Sequence, residues 1–173
     1  MKTLSERARD IRCAVFDVDG VMTDCKLYLA PDGSELKAVH VRDGLGLKLL
    51  MQAGIEVAVI SGRPSAAMQA RFEYLGIRRV WLHVEHKLPA WEELKAQLGL
   101  ADHQMMMMGD DTPDLPLMTR AGLAMTVADA HPKVLAVAHW ASRLPGGNGA
   151  VRDAADLILA AQAAAVATDG ARS

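Results

Sequence analysis

The chain has 173 residues, 51% of them hydrophobic, and a formal net charge of −2. That length suits one domain with a sizeable core, and that composition excludes a disordered chain. The charge gives nucleic acid and anionic membranes no global attraction, and two cysteines in no C-x-x-C pair fit a reducing cytoplasm and exclude a disulfide scaffold or zinc ribbon.

The charged start MKTLSERARDIR lacks the apolar stretch of a signal peptide, and no run approaches the ~18 apolar residues of a membrane span. CAVFDVDGV (13–21) begins as a short apolar run, the pattern of a buried strand. Two alternating segments within 25–41 flank Pro31-Asp32-Gly33 and predict a hairpin. Leu45, Leu49 and Leu50, with Gly54 as a stop, predict a helix over 42–54. IEVAVISG (55–62) reads as a second buried strand, and 64–75 as a helix with Pro64 near its first turn. A third strand, RRVWLHV (78–84), precedes a helix over 88–98. QMMMMGD (104–110) and LAMTVAD (123–129) are strands, followed by helices over 112–121 and 131–138. A Gly-rich loop around 145–149 leads to an Ala-rich terminal helix that includes 157–167.

Strands alternating with helices predict a parallel α/β sheet flanked by helices, interrupted by a β-hairpin inserted after the first strand. The whole chain, 1–173, reads as one domain, with the hairpin at about 25–41 and a Gly-rich C-terminal segment at about 143–173. Right-handed crossovers place the strand C-termini on one edge, where ligands of such sheets bind.

The polar residues collect at that edge. Strand one ends in Asp17-Val18-Asp19-Gly20, strand two in Ser61-Gly62-Arg63 and strand four in Gly109-Asp110-Asp111, while Lys87 follows strand three. Clustered carboxylates need a cation, and all-oxygen donors with room for water and phosphate oxygens suit Mg2+. Ser61 and the N–H groups around Gly62 suit phosphate oxygens, as does the point charge of Lys87. Asp17 is the candidate nucleophile, and Asp19 is placed to protonate the leaving oxygen and then activate water, on the same side of the chain if the strand continues that far. Ser61 also reads as an N-cap for the next helix, and Asp111 and Asp114 as acids at a helix N-terminus. Met105 to Met108 read as core, and the histidines show no metal-binding spacing.

DVDGVMTD, SGR, a lone Lys and GDDTPD, in this order, resemble the four motifs of the haloacid dehalogenase-like phosphatase superfamily. PDGSELKAVHVRDGLGLKLL, GGNGAVRD and the lack of a large cap resemble its capless branch, and the similarity covers about 11–159. The resemblance implies a Rossmann-like domain, Mg2+ and an aspartyl-phosphate intermediate. It implies Asp17 as nucleophile and metal ligand, Asp19 as acid/base with its carbonyl on the metal, and Asp110 as a further ligand supported by Asp111 and Asp114. Ser61, Gly62 and Lys87 would hold the phosphoryl group. The implied substrate is a small eight-carbon sugar acid phosphate of lipopolysaccharide synthesis in a Gram-negative cytoplasm, with a nine-carbon sugar acid phosphate as the alternative. Its carboxylate could take Arg63; Arg42-Asp43 after the hairpin and Arg152 after the Gly-rich loop are further candidates. Family members are similar in forming homotetramers through their hairpins. The chain departs from the family at Cys25, where Gly is usual, and in LHVEHK, which lacks a Gln-Gly pair; both bear on loop shape. A receiver-type signalling domain also combines an acidic cluster, Mg2+ and Lys, but keeps its phospho-accepting Asp on a middle strand, where this chain has Ser61.

Overall fold

The computed structural model describes residues 2–170; Met1 and 171–173, part of the single-domain expectation, lie outside the described residues. The chain runs through α1 (Leu4–Asp10), β1 (Cys13–Phe16), the hairpin β2 (Tyr28–Leu29) and β3 (Glu35–Leu36), and α2 (Val41–Gln52). It continues through β4 (Glu56–Ile60), α3 (Ala66–Leu75), β5 (Arg79–Trp81), α4 (Lys87–Leu98) and β6 (Met105–Met108). A 3-10 turn (Thr112–Asp114), α5 (Leu115–Met118), β7 (Leu123–Thr126), α6 (Pro132–Leu135), β8 (Trp140–Ala141) and α7 (Ala150–Gly170) complete it.

Six strands form one sheet in the order β5-β4-β1-β6-β7-β8, and every pairing is parallel. α7 packs on α1 and α2, and α4 packs on α5 and β4. Central strands in such a sandwich are covered on both faces, which is why β1 and β6 are buried at every residue and read as unbroken apolar runs. Phe16 lies level with Val59 on one side and Met108 on the other. The residues that follow each strand therefore emerge side by side, and Asp17 N donates to the Met108 carbonyl at 3.0 Å.

Several expectations change. β1 stops at Phe16, so Asp17 to Asp19 form a turn and Asp19 is not carried by a continuing strand. The helix expected over 112–121 is a 3-10 turn plus the four residues of α5, because Pro113 and Pro116 carry no N–H to donate. The helix over 131–138 shortens to α6, and the strand over 78–84 to β5. The cap of α3 is Ser65, which accepts from Met68 N, not Ser61. Two elements had no counterpart in the sequence reading. α1 is announced by a capping box between Thr3 and Glu6, and β8 is only two residues long. The Gly-rich segment is packed against the turn after β1: Gly147 N donates to Val21 O at 3.0 Å, and Gly146 N donates to Asp129 Oδ1 at 2.9 Å. Any side chain at Gly146 would overlap the carbonyl oxygens of Gly20 and Thr23.

The hairpin strands are two residues each, too short to stand alone. They leave Leu29 and Leu36 about two-thirds exposed, at 68% and 67%.

Candidate active site

Where β1, β4 and β6 end, a cleft of about 230 Å³ opens. Asp17 and Asp19 line it from the turn after β1, Ser61, Gly62 and Arg63 from the turn after β4, and Lys87 from the first position of α4. Asp110, Asp111, Pro113 and Asp114 close it after β6, with Cys25 at the rim. The expected strand-end residues are thus brought together by the parallel register.

Lys87 is buried, its Nζ 2.9 Å from Asp17 Oδ1 and 2.6 Å from Asp114 Oδ1. Burial works against its ammonium, but Asp17 and Asp114 outweigh that and raise its pKa. The second oxygen of Asp114 accepts from Asp110 N at 3.0 Å and Asp111 N at 3.4 Å. Asp114 is therefore engaged on both oxygens, which suits support of the turn. Asp111 caps the 3-10 turn, accepting from Thr112 N at 2.6 Å. The carboxylate of Asp110 receives no hydrogen bond from the described residues. It sits against Gly20, whose φ of +84° and missing Cβ make room for it.

Oxygens of Asp17, Asp110 and Asp114 lie within 4.8 Å of one another. Burial, then the neighbouring carboxylates Asp17, Asp114 and Asp111, push Asp110 up to about 8. Burial followed by Asp114 raises Asp17 as well, against the pull of Lys87. One lysine does not offset this charge, and the donor set is all oxygen, so the residues present fit a hard divalent cation such as Mg2+.

A pH dependence follows from Asp110. Its pKa rises from an ordinary 3.8 to about 8, so the metal-free folded chain holds a proton that the unfolded chain releases. Metal-free stability therefore falls as pH rises between those values. Mg2+ should reverse the trend, raising Tm most at the alkaline end, and its binding at pH 7 should release protons. Calorimetric titration in two buffers of different ionisation enthalpy measures that release; a binding enthalpy independent of buffer would contradict it.

Ser61 is buried and donates its own N–H to Trp81 O at 2.9 Å, leaving its hydroxyl and the Gly62 N–H without partners among the described residues. Arg63 reaches the rim, where its Nη2 donates to Glu35 Oε2 at 2.5 Å. Arg42, Asp43 and Arg152 do not line the cleft. Arg42 is exposed, while Asp43 is buried in the first turn of α2 and accepts from Arg152 N at 2.9 Å. Within this chain that hydrogen bond ties α2 to α7. Cys25, and His83 within LHVEHK, are the two non-glycine residues with positive φ among the described residues, both at 61°. Both residues thus hold a left-handed backbone without glycine, a strain of about 1–2 kcal/mol per residue.

The sequence reading missed Lys37 and Glu35. Lys37 reaches in from the hairpin and hydrogen-bonds Asp19 Oδ1, with its side chain only 3% exposed. The alternation of the hairpin marks these residues only as one face of a ribbon, without saying what that face meets.

Anionic oxygens, a lysine paired with two of them and unpaired donors around one cleft suit phosphoryl transfer assisted by a hard cation, and the class so defined is a phosphate-ester hydrolase on a Rossmann-like sheet. The haloacid dehalogenase-like hydrolase family matches over residues 83–151. The 3-deoxy-D-manno-octulosonate 8-phosphate phosphatase of Yersinia pestis is 45% identical over 157 residues, covering 91% of this chain and 84% of that protein. The phosphatase of the same name from Moraxella catarrhalis, crystallised with magnesium, phosphate and KDO, superposes with a TM-score of 0.90 at 37% identity, covering 95% of this chain and 97% of that one. The cobalt-bound Haemophilus influenzae deoxy-D-mannose-octulosonate 8-phosphate phosphatase gives 0.87 at 40% identity, over 91% and 92%. The chain belongs to the 3-deoxy-D-manno-octulosonate 8-phosphate phosphatase family of haloacid dehalogenase-like hydrolases.

Proposed function

We propose that this chain, as a single domain, hydrolyses 3-deoxy-D-manno-octulosonate 8-phosphate to KDO and phosphate with Mg2+, in lipopolysaccharide synthesis in the cytoplasm. The observation that carries the reading is the convergence of Asp17, Asp110 and Lys87 beside the free Ser61 and Gly62 donors. Asp17, the Asp19 carbonyl and Asp110 would hold Mg2+, which supplies positive charge that lets two anions meet. The Asp17 carboxylate attacks phosphorus while the bond to the sugar oxygen breaks and Asp19 donates its proton to that oxygen. Asp19, now a carboxylate, takes a proton from water as water attacks the aspartyl phosphate, releasing phosphate and restoring Asp17. Lys87, Ser61 and Gly62 hold the phosphoryl oxygens, and Asp111 and Asp114 fix the turn that carries Asp110. Arg63, held at the rim by Glu35, would take the sugar carboxylate with its remaining N–H groups. Arg42, Asp43 and Arg152 would act on substrate only across a subunit boundary.

A homotetramer associated through the hairpins is part of the same reading. Exposed Leu27, Leu29 and Leu36 on a ribbon too short to be stable alone favour cover by a second copy. Among the described residues no helix is long and apolar enough to cross a membrane.

Phosphate release with Mg2+ from the eight-carbon and nine-carbon sugar acid phosphates tests the proposal. The expected result is a preference for the eight-carbon ester of at least ~10-fold in kcat/KM, about 1.4 kcal/mol of discrimination. A preference for the nine-carbon ester would retain the chemistry and replace the substrate.

A further inference from the structure

Asp19 stands in a turn beyond the end of β1, and nothing in its own segment holds its carboxylate. The groups that do hold it come from elsewhere. Lys37, just past β3, lays its side chain inward and hydrogen-bonds Asp19 Oδ1. Lys37 Nζ also lies 3.3 Å from Glu35 Oε1, and Glu35 Oε2 accepts from Arg63 Nη2 at 2.5 Å. Arg63 Nε, in turn, is 3.8 Å from Asp19 Oδ2. Four side chains of alternating charge thus close a ring that joins the hairpin to the turns after β1 and β4. An exposed ion pair would mean little. A lysine whose side chain is 3% exposed is different, because burying an ammonium is unfavourable unless its partners are fixed.

We propose that Lys37 is a positioning residue for Asp19: the hairpin supplies the ammonium that orients the acid/base carboxylate, and Glu35 and Arg63 fix that ammonium. The proposal rests on the acid/base reading of Asp19. Lys37 transfers no proton itself. It sets the direction from which Asp19 delivers one to the leaving oxygen as the P–O bond breaks and the Asp17–P bond forms.

The test exploits leaving groups. A sugar alkoxide needs a proton as it departs, whereas nitrophenolate departs without one. In Lys37→Met, which keeps the stem and removes the charge, kcat/KM on the sugar acid phosphate should fall by ~100-fold, the lower end for a general acid, and on p-nitrophenyl phosphate by no more than ~3-fold. Lys37→Arg should recover part of the loss. Glu35→Gln, which weakens the anchor of Lys37 while keeping both Lys37 and Asp19 in the chain, should show the same leaving-group pattern more weakly and serves if Lys37→Met does not fold. Equal losses on both esters, or a rise in KM with kcat unchanged, would overturn the proposal. If the wild-type protein releases no phosphate from the eight-carbon ester, the substrate reading fails instead. The leaving-group comparison then decides the role of Lys37 on any alkyl phosphate the protein does cleave.

Discussion

Asp17→Asn should abolish phosphate release, by at least ~10⁴-fold, because an amide forms no acyl phosphate and no neighbouring group replaces the lost nucleophile. The same change should leave the metal-free protein no less stable. Asp17 is buried beside Asp114, and both burial and that neighbour disfavour its charge. Removing the charge relieves the repulsion, and Lys87 keeps its 2.6 Å contact with Asp114. A discontinuous phosphate assay and a thermal melt on the same preparation separate the two effects. Turnover within tenfold of wild type would remove Asp17 from the chemistry; lost turnover with a collapsed Tm would make its role structural.

Lys87→Met should have the largest effect on stability. The ammonium lies between Asp17 and Asp114, two carboxylates that are 7% and 1% exposed. Methionine fills the space but leaves both anions without their cation, and breaking a buried pair in this way costs about 3–5 kcal/mol. Because burial and Asp114 already raise the pKa of Asp17, the variant can neutralise it by taking up a proton as pH falls. The loss should therefore be large at pH 8 and smaller at pH 5. Urea unfolding at the two pH values measures it, and a variant equal to wild type at pH 8 would contradict the pairing. Phosphate release should fall with it, since the phosphoryl oxygens lose a fixed charge.

The edge of the sheet was legible because its signals are local. Parallel strands covered on both faces need unbroken apolar runs, so CAVF and MMMM stand out, and the acids that end them fall at one edge by register alone. Contacts set by distant elements were not legible. The sequence reads as a helix from Pro64 with Ser61 as its cap, but the helix begins at Ala66 with Ser65 as the cap, because the chain first turns after β4. The hydrogen bond from the Arg152 N–H to Asp43 depends on the register of α2 against α7, which neither helix shows by itself. Lys37 needed the fold of the hairpin over the turn after β1, which no periodicity encodes.

The packing of the Gly-rich segment bears on the order of synthesis. β1 emerges early, but both its neighbours, β4 and β6, follow it in the chain. The turn that carries Asp19 and Gly20 is then pinned by Gly146 and Gly147, more than a hundred residues later. Contacts of such long sequence separation form late in folding. A growing chain on the ribosome therefore carries every motif aspartate well before Gly146 and Gly147 are there to close over the turn of Asp19 and Gly20.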